Sequence, residues 1–184
     1  MADRISNHLP DLGDEFPLDH LFDKLLDTEP QPFLQTIQPI SHALIPKVYA
    51  RAERTLKMAE ARMQQDSSDA QLKKLQVDDL AAIIKYCQED SDPPFYRALN
   101  EACYNRDRAV VKQFVPFMWR LLNAMQKLPA YEKPTVFRGV RKDLAKDYQE
   151  HREVTWYGFT SSTKTQKALE SEAFCGKSGE RTIF

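Results

Sequence analysis

Apolar residues recur at helical spacing along most of the first 130 positions, and then give way to short aromatic and β-branched runs. Tyr49, Ala52, Leu56, Ala59 and Met63 fall on one stripe. They predict a long amphipathic helix that starts near Pro46, a residue suited to a first turn, and closes at "QQDSSD". Leu80, Ile83, Ile84 and Cys87 predict a second helix with these four on its apolar face, and Asp78 and Asp79 near its positive end. Asp92 is a candidate cap for a third, "PPFYRALNEACY". From Asp107 a longer pattern carries Phe114, Phe117, Leu121, Met125 and Leu128. Pro116 should kink or divide it, because proline lacks the amide hydrogen and crowds the preceding turn. Further upstream, Leu18, Leu21, Phe22, Leu25 and Leu26 predict a short amphipathic helix that packs on the domain or docks on a partner.

Punctuation sets the change of regime. All eleven prolines lie at or before Pro134, and four of the five glycines lie at or after Gly139. The second part therefore reads as strands with glycine turns. "TVFRGV" (135–140) and "EVTWYGF" (153–159) predict two strands through their β-branched and aromatic content. Between them "RKDLAKDYQEHRE" is a polar excursion with room for one short helix. "KTQKALESEAF" predicts a helix, "GKSGE" a turn, and "RTIF" the start of a third strand. Three short strands fall below the usual sheet of about four to six, so the sequence predicts a fragment of a larger β core.

The run "FTSST" follows the second predicted strand. One reading is structural: Thr163 with Gln166 three residues later fits a capping box for the next helix. Arg138 alone reads as a solvated strand side chain, Trp156 as core, and Glu170 with Glu172 as the solvated face of the predicted helix. In combination, however, the motifs change weight. An Arg-Gly strand, Phe137-Arg138-Gly139, precedes an aromatic-hydroxyl-Ser segment, Phe159-Thr160-Ser161, after a helical prelude that includes "VDDLAAIIKY" and "FYRALNEA". In order and spacing these resemble the arginine-type mono-ADP-ribosyltransferases over about residues 75–184.

The resemblance implies an α+β fold: a helical N-terminal part packed on a β core of two small sheets, incomplete in this chain. It implies a helical, acidic extension over residues 1–70 and a transferase domain over 71–184 that stops short of the family's Glu-x-Glu pair. It implies NAD⁺ as a consumed substrate, transfer of ADP-ribose to a side chain of an acceptor protein, arginine by family, and release of nicotinamide. Arg138 would hold the phosphates, since a guanidinium offers a charged planar fork that lysine does not. Gly139 would let its peptide groups reach the nicotinamide carboxamide. Ser161 would hold the catalytic glutamate, and Phe174 would stack on nicotinamide. Because "ESE" at Glu170–Glu172 lies on a predicted helix, the chain is expected to be weak or inactive alone. Two alternatives stay open: a non-catalytic NAD-binding or protein-interaction module, and a helical interaction domain in which both motifs are accidents.

Composition narrows these readings only at the margins. A net charge of −1 gives no overall attraction to nucleic acid or anionic lipid. Residues 1–30 carry eight acidic and two basic side chains, a local net of −6. No run of eighteen apolar residues predicts a membrane span. "MADRISNHLPDLGDEF" lacks the pattern of a secretory leader, and three scattered cysteines fit reduced thiols in a cytoplasmic protein. Neither cysteines nor histidines show metal-ligand spacing.

Overall fold

The computed structural model describes residues 28–184, apart from 106, 133–134, 152, 155 and 172–174. The predicted helix over Leu18–Leu26, and the side chains of Glu172 and Phe174, lie outside the described residues. Within them the chain forms two compact units, one ending at Pro129 and the other running from Ala130 to Phe184. The result is an α+β protein, mostly helical, with a small antiparallel sheet.

The first unit contains α1 (Phe33–Ile37), α2 (Val48–Gln65), α3 (Val77–Cys87), α4 (Phe95–Tyr104), α5 (Arg108–Lys112) and α6 (Val115–Gln126). Its centre is aromatic. Phe33, Phe95, Phe114 and Phe117 are fully buried. The rings of Phe95 and Phe117 lie 4.5 Å apart, those of Phe95 and Phe114 5.8 Å, and those of Phe33 and Phe117 6.5 Å. Such tilted and edge-on contacts each contribute about 0.5–1.5 kcal/mol beyond the area they bury.

Pro116 divides its helix as expected: α5 ends at Lys112 and α6 restarts with the proline in its first turn. Asp107 caps α5 by accepting a hydrogen bond from the Ala109 amide. Asp92 does not cap α4, whose N-cap is Pro94 with no side-chain bond. α2 begins two residues after Pro46, and Ala52 and Ala59 of the predicted stripe are buried, joined by Val48 and Thr55. On α6, Phe117 and Leu121 are buried, with Phe114 at its N-cap, but Met125 is exposed.

Helix α3 corrects the sequence reading. Its buried residues are Asp79, Leu80, Ala81, Ala82 and Lys85, while Ile83 and Ile84 are half-buried and Cys87 is exposed. Two small alanines let a neighbouring helix approach. Two ionised side chains are buried with them because each is paired. Lys85 Nζ meets both oxygens of Asp90 at 2.9 Å and lies 5.7 Å from the Phe95 ring centre. Burial pushes its pKa below the ordinary lysine value, with Asp90 opposing the shift.

Asp79 is the more connected of the two. Oδ1 accepts from Arg120 Nη1 at 3.0 Å, and Oδ2 accepts from Lys127 Nζ at 2.6 Å and from the Gln76 amide at 2.9 Å. The last bond is half of a capping box at the start of α3. The same guanidinium reaches the carbonyl oxygens of Pro30 and Gln31. Asp78, next door, accepts from the Phe33 amide at 2.9 Å. Burial pushes the Asp79 carboxyl up, but the hydrogen bonds from Lys127, Gln76 and Arg120 outweigh it and hold the pKa below the ordinary value.

Removing one partner of a buried pair leaves an uncompensated charge and typically costs about 3–5 kcal/mol. Asp79→Asn should therefore lower stability at neutral pH by roughly that amount. Because the folded pKa is depressed, the stabilisation is present above the unfolded carboxylate value of about 3.9 and fades as pH falls through the folded value. Urea unfolding followed by circular dichroism from pH 6 to pH 3 should show a steep loss below about pH 4 in the wild type and a shallower one in the variant. Parallel pH profiles would contradict this account.

Candidate functional site

The second unit holds both sequence motifs. Its elements are β1 (Gly139–Val140), α7 (Gln166–Leu169) and β2 (Thr182–Ile183). β1 and β2 pair antiparallel, with Gly139 opposite Ile183 and Val140 opposite Thr182. Arg138 extends the ladder: its amide donates to the Phe184 carbonyl at 3.0 Å, and its carbonyl accepts from the Phe184 amide at 2.8 Å. Phe137 bonds in the other direction. Its amide and carbonyl exchange hydrogen bonds of 2.8 and 2.7 Å with Thr163. Successive residues of an extended strand direct their backbone groups to opposite sides, so residues 137–140 run between the hydroxyl segment and β2.

Two expectations change here. No strand forms among the described residues of 153–159; the backbone pairing falls instead at Thr163. Thr163 is therefore not a helix cap. α7 starts at Gln166, its N-cap is Thr165, and that cap makes no side-chain hydrogen bond. The predicted helix is also shorter, four residues long. The excursion after β1 forms turns rather than a helix, anchored where Thr182 Oγ1 accepts from the Leu144 amide and donates to the Lys142 carbonyl.

Arg138 is not a solvated strand side chain: it is buried, at 6% exposure. Its Nη1 donates to the Ser161 carbonyl oxygen at 3.0 Å, and its guanidinium carbon lies 5.8 Å from the Trp156 ring centre. The side chain thus meets the hydroxyl segment that the motif pattern singled out, through the backbone of Ser161. Thr160, Ser161 and Ser162 are all exposed.

Trp156 is not core; it is 37% exposed. Its Nε1–H donates to the Tyr148 hydroxyl at 2.8 Å. Trp156, Tyr148 and Phe184 form a triangle of edge-on rings, with centres 6.2, 4.6 and 5.6 Å apart. Sequence reasoning missed this cluster. The aromatic run "WYGF" was a usable signal, but it was spent on predicting a strand.

Gly139 has a packing reason of its own. A Cβ there would sit 2.8 Å from Cys175 Cβ, 3.1 Å from Cys175 Sγ and 3.3 Å from Leu169 Cδ1. The glycine lets β1 lie against the α7 segment, where Cys175 is buried. Glu170 is exposed at the C-terminal cap of α7 and pairs with Lys177 at 3.1 Å. Among the described residues no His, Cys, Asp and Glu group could hold a metal, and no helix is long and apolar enough to cross a membrane.

A family model described as NAD:arginine ADP-ribosyltransferase matches residues 28–184, well over half of the chain. The chain belongs to the NAD:arginine ADP-ribosyltransferase family. The match begins upstream of residue 75, where the motif resemblance starts, and so includes α1 and α2. Neither a curated protein nor a solved structure matches the chain. Family membership carries the general activity, ADP-ribosyl transfer from NAD⁺, and with it NAD⁺ and a protein acceptor as partners.

Overpacking where neighbours already stand this close typically costs about 1–3 kcal/mol. Gly139→Ala should destabilise the chain by that order. The closest clash is with Cys175 Cβ, so Cys175→Ala should fail to rescue it, whereas Cys175→Gly should recover part of the loss. A double-mutant cycle on unfolding midpoints checks this; equal rescue by alanine and glycine would refute it.

Proposed function

We propose that Arg138 and the hydroxyl segment beside it form the NAD⁺-binding part of the site, and that the protein passes ADP-ribose to an arginine of an acceptor protein. The observation that carries this reading is the 3.0 Å contact between the Arg138 guanidinium and the Ser161 carbonyl oxygen. Two short motifs 23 residues apart in sequence meet there, as a shared dinucleotide site requires. In this reading Arg138 holds the phosphates, the peptide groups at Gly139 bind the carboxamide, and the Ser161 hydroxyl steadies a glutamate. Phe174 stacks on nicotinamide.

The chemistry resembles glycoside cleavage. The bond between ribose and nicotinamide breaks, its electron pair leaves with nicotinamide, and the ribose carbon becomes cation-like. A carboxylate nearby stabilises that charge. The acceptor nitrogen then forms the new bond and gives up a proton. The Glu-x-Glu triplet of this chain, Glu170–Glu172, begins at the exposed cap of α7, with Glu170 paired to Lys177. We therefore infer that this chain is too weak or inactive to release nicotinamide faster than buffer does. The same observation favours a second reading, a module that binds NAD⁺ or a partner protein without turnover.

A charge-assisted hydrogen bond contributes roughly 1.5–3 kcal/mol. Arg138→Ala should thus weaken NAD⁺ binding by about one to two decades in calorimetry. Unchanged affinity in a folded variant would remove Arg138 from the site. The purified chain should release nicotinamide no faster than a buffer blank, because losing a group that stabilises transition-state charge typically costs on the order of 10²–10³ in rate. Release clearly above the blank would overturn that inference.

A further inference from the structure

Trp156 is the most exposed member of an otherwise packed aromatic cluster. Exposure alone means little, since much of any protein surface is apolar. What sets Trp156 apart is that its ring is held. One hydrogen bond to Tyr148 fixes its in-plane direction, and two near-perpendicular neighbours, at 78° and 84°, fix its tilt. An indole fixed in this way has already lost its rotamer freedom, so a flat ligand stacking on it orders little that was free. Its position beside the buried Arg138 guanidinium gives it a place in the same site.

We propose that Trp156 is the stacking platform for the adenine ring of NAD⁺. The proposal rests on the reading of Arg138 as the phosphate anchor. Charge decides between the two rings of the dinucleotide. The nicotinamide ring of NAD⁺ is cationic, and a guanidinium already lies 5.8 Å from the indole centre; a second cation there would be repelled. Adenine is neutral, and its π-face stacks on an aromatic side chain without needing hydrogen-bond readout. One ribose joins adenine to the pyrophosphate, a reach that suits a platform next to the group holding the phosphates.

The test uses the whole chain with NAD⁺, ADP and nicotinamide mononucleotide as probes. Base–aromatic stacking is worth about 1–3 kcal/mol by substitution, so Trp156→Leu should weaken NAD⁺ and ADP binding by about five- to 150-fold. Binding of nicotinamide mononucleotide should be unchanged. Trp156→Phe should keep most of the affinity. Should Trp156→Leu fail to fold, a direct readout remains. In the Trp119→Phe background Trp156 is the one indole, and NAD⁺ and ADP should quench its emission far more than nicotinamide mononucleotide does.

Trp156→Leu affinities within twofold of wild type, or equal losses for all three probes, would overturn the proposal. So would an unquenched indole, or a wild-type chain that binds neither NAD⁺ nor ADP. Arg138→Ala run in parallel separates the two claims. If that variant keeps its affinity while Trp156→Leu loses it, the phosphate anchor fails and the platform stands.

Discussion

The helical unit depends on one buried carboxylate. Asp79 is fully buried and reaches no bulk water, so its charge must be answered by protein groups. Arg120 and Lys127 answer it from α6 and the residue after it, and the Gln76 amide from the start of its own helix. Such a network is a weak source of net stability compared with a hydrophobic replacement of the same shape. Its geometry is demanding, however. The Arg120 fork bonds Asp79 with one nitrogen and the carbonyls of Pro30 and Gln31 with the others. One side chain therefore sets α3, α6 and the entry to α1 in register. A shift of any of the three would strand either a charge or two backbone acceptors.

The sheet unit solves a related problem with different partners. Arg138 is also a nearly buried cation, met by a backbone carbonyl and an indole face. A guanidinium tolerates this better than an ammonium because it is planar, delocalised and more weakly hydrated. Lysine would lose both the fork and the stacking geometry. The residue type at 138 is thus constrained by its folded environment as well as by any ligand.

These two arginines show where sequence reasoning reached and where it stopped. Periodicity found α2 and the break at Pro116, because apolar spacing and the missing proline amide act locally. On α3 it found Leu80 but placed Cys87 inside and missed Asp79 and Lys85, because hydropathy ranks those two as outward. Their burial follows only from partners at Arg120, Lys127 and Asp90. The motif order brought Arg138 and Ser161 to notice, and their contact runs through a backbone oxygen that no side-chain pattern encodes. The described part of the second predicted strand, 156–159, departs from expectation for a similar reason. β-branched and aromatic content marks a surface that wants packing, and here Trp156 finds it against Tyr148 and Phe184 rather than in a ladder.

The tripeptide Phe137-Arg138-Gly139 gathers these constraints into three consecutive positions. Phe137 bonds the hydroxyl segment through Thr163, Arg138 bonds the end of β2 through Phe184, and Gly139 admits the α7 segment through its missing side chain. Each position therefore has a different neighbour and a different reason for its identity. A larger residue at 139 would push β1 from Cys175, and Arg138 would move with it because the two share one strand. The packing of a buried cysteine on one face thus bears on where a guanidinium points on the other. For this motif, the residue needed by the fold and the residue needed by the chemistry are adjacent and mechanically linked.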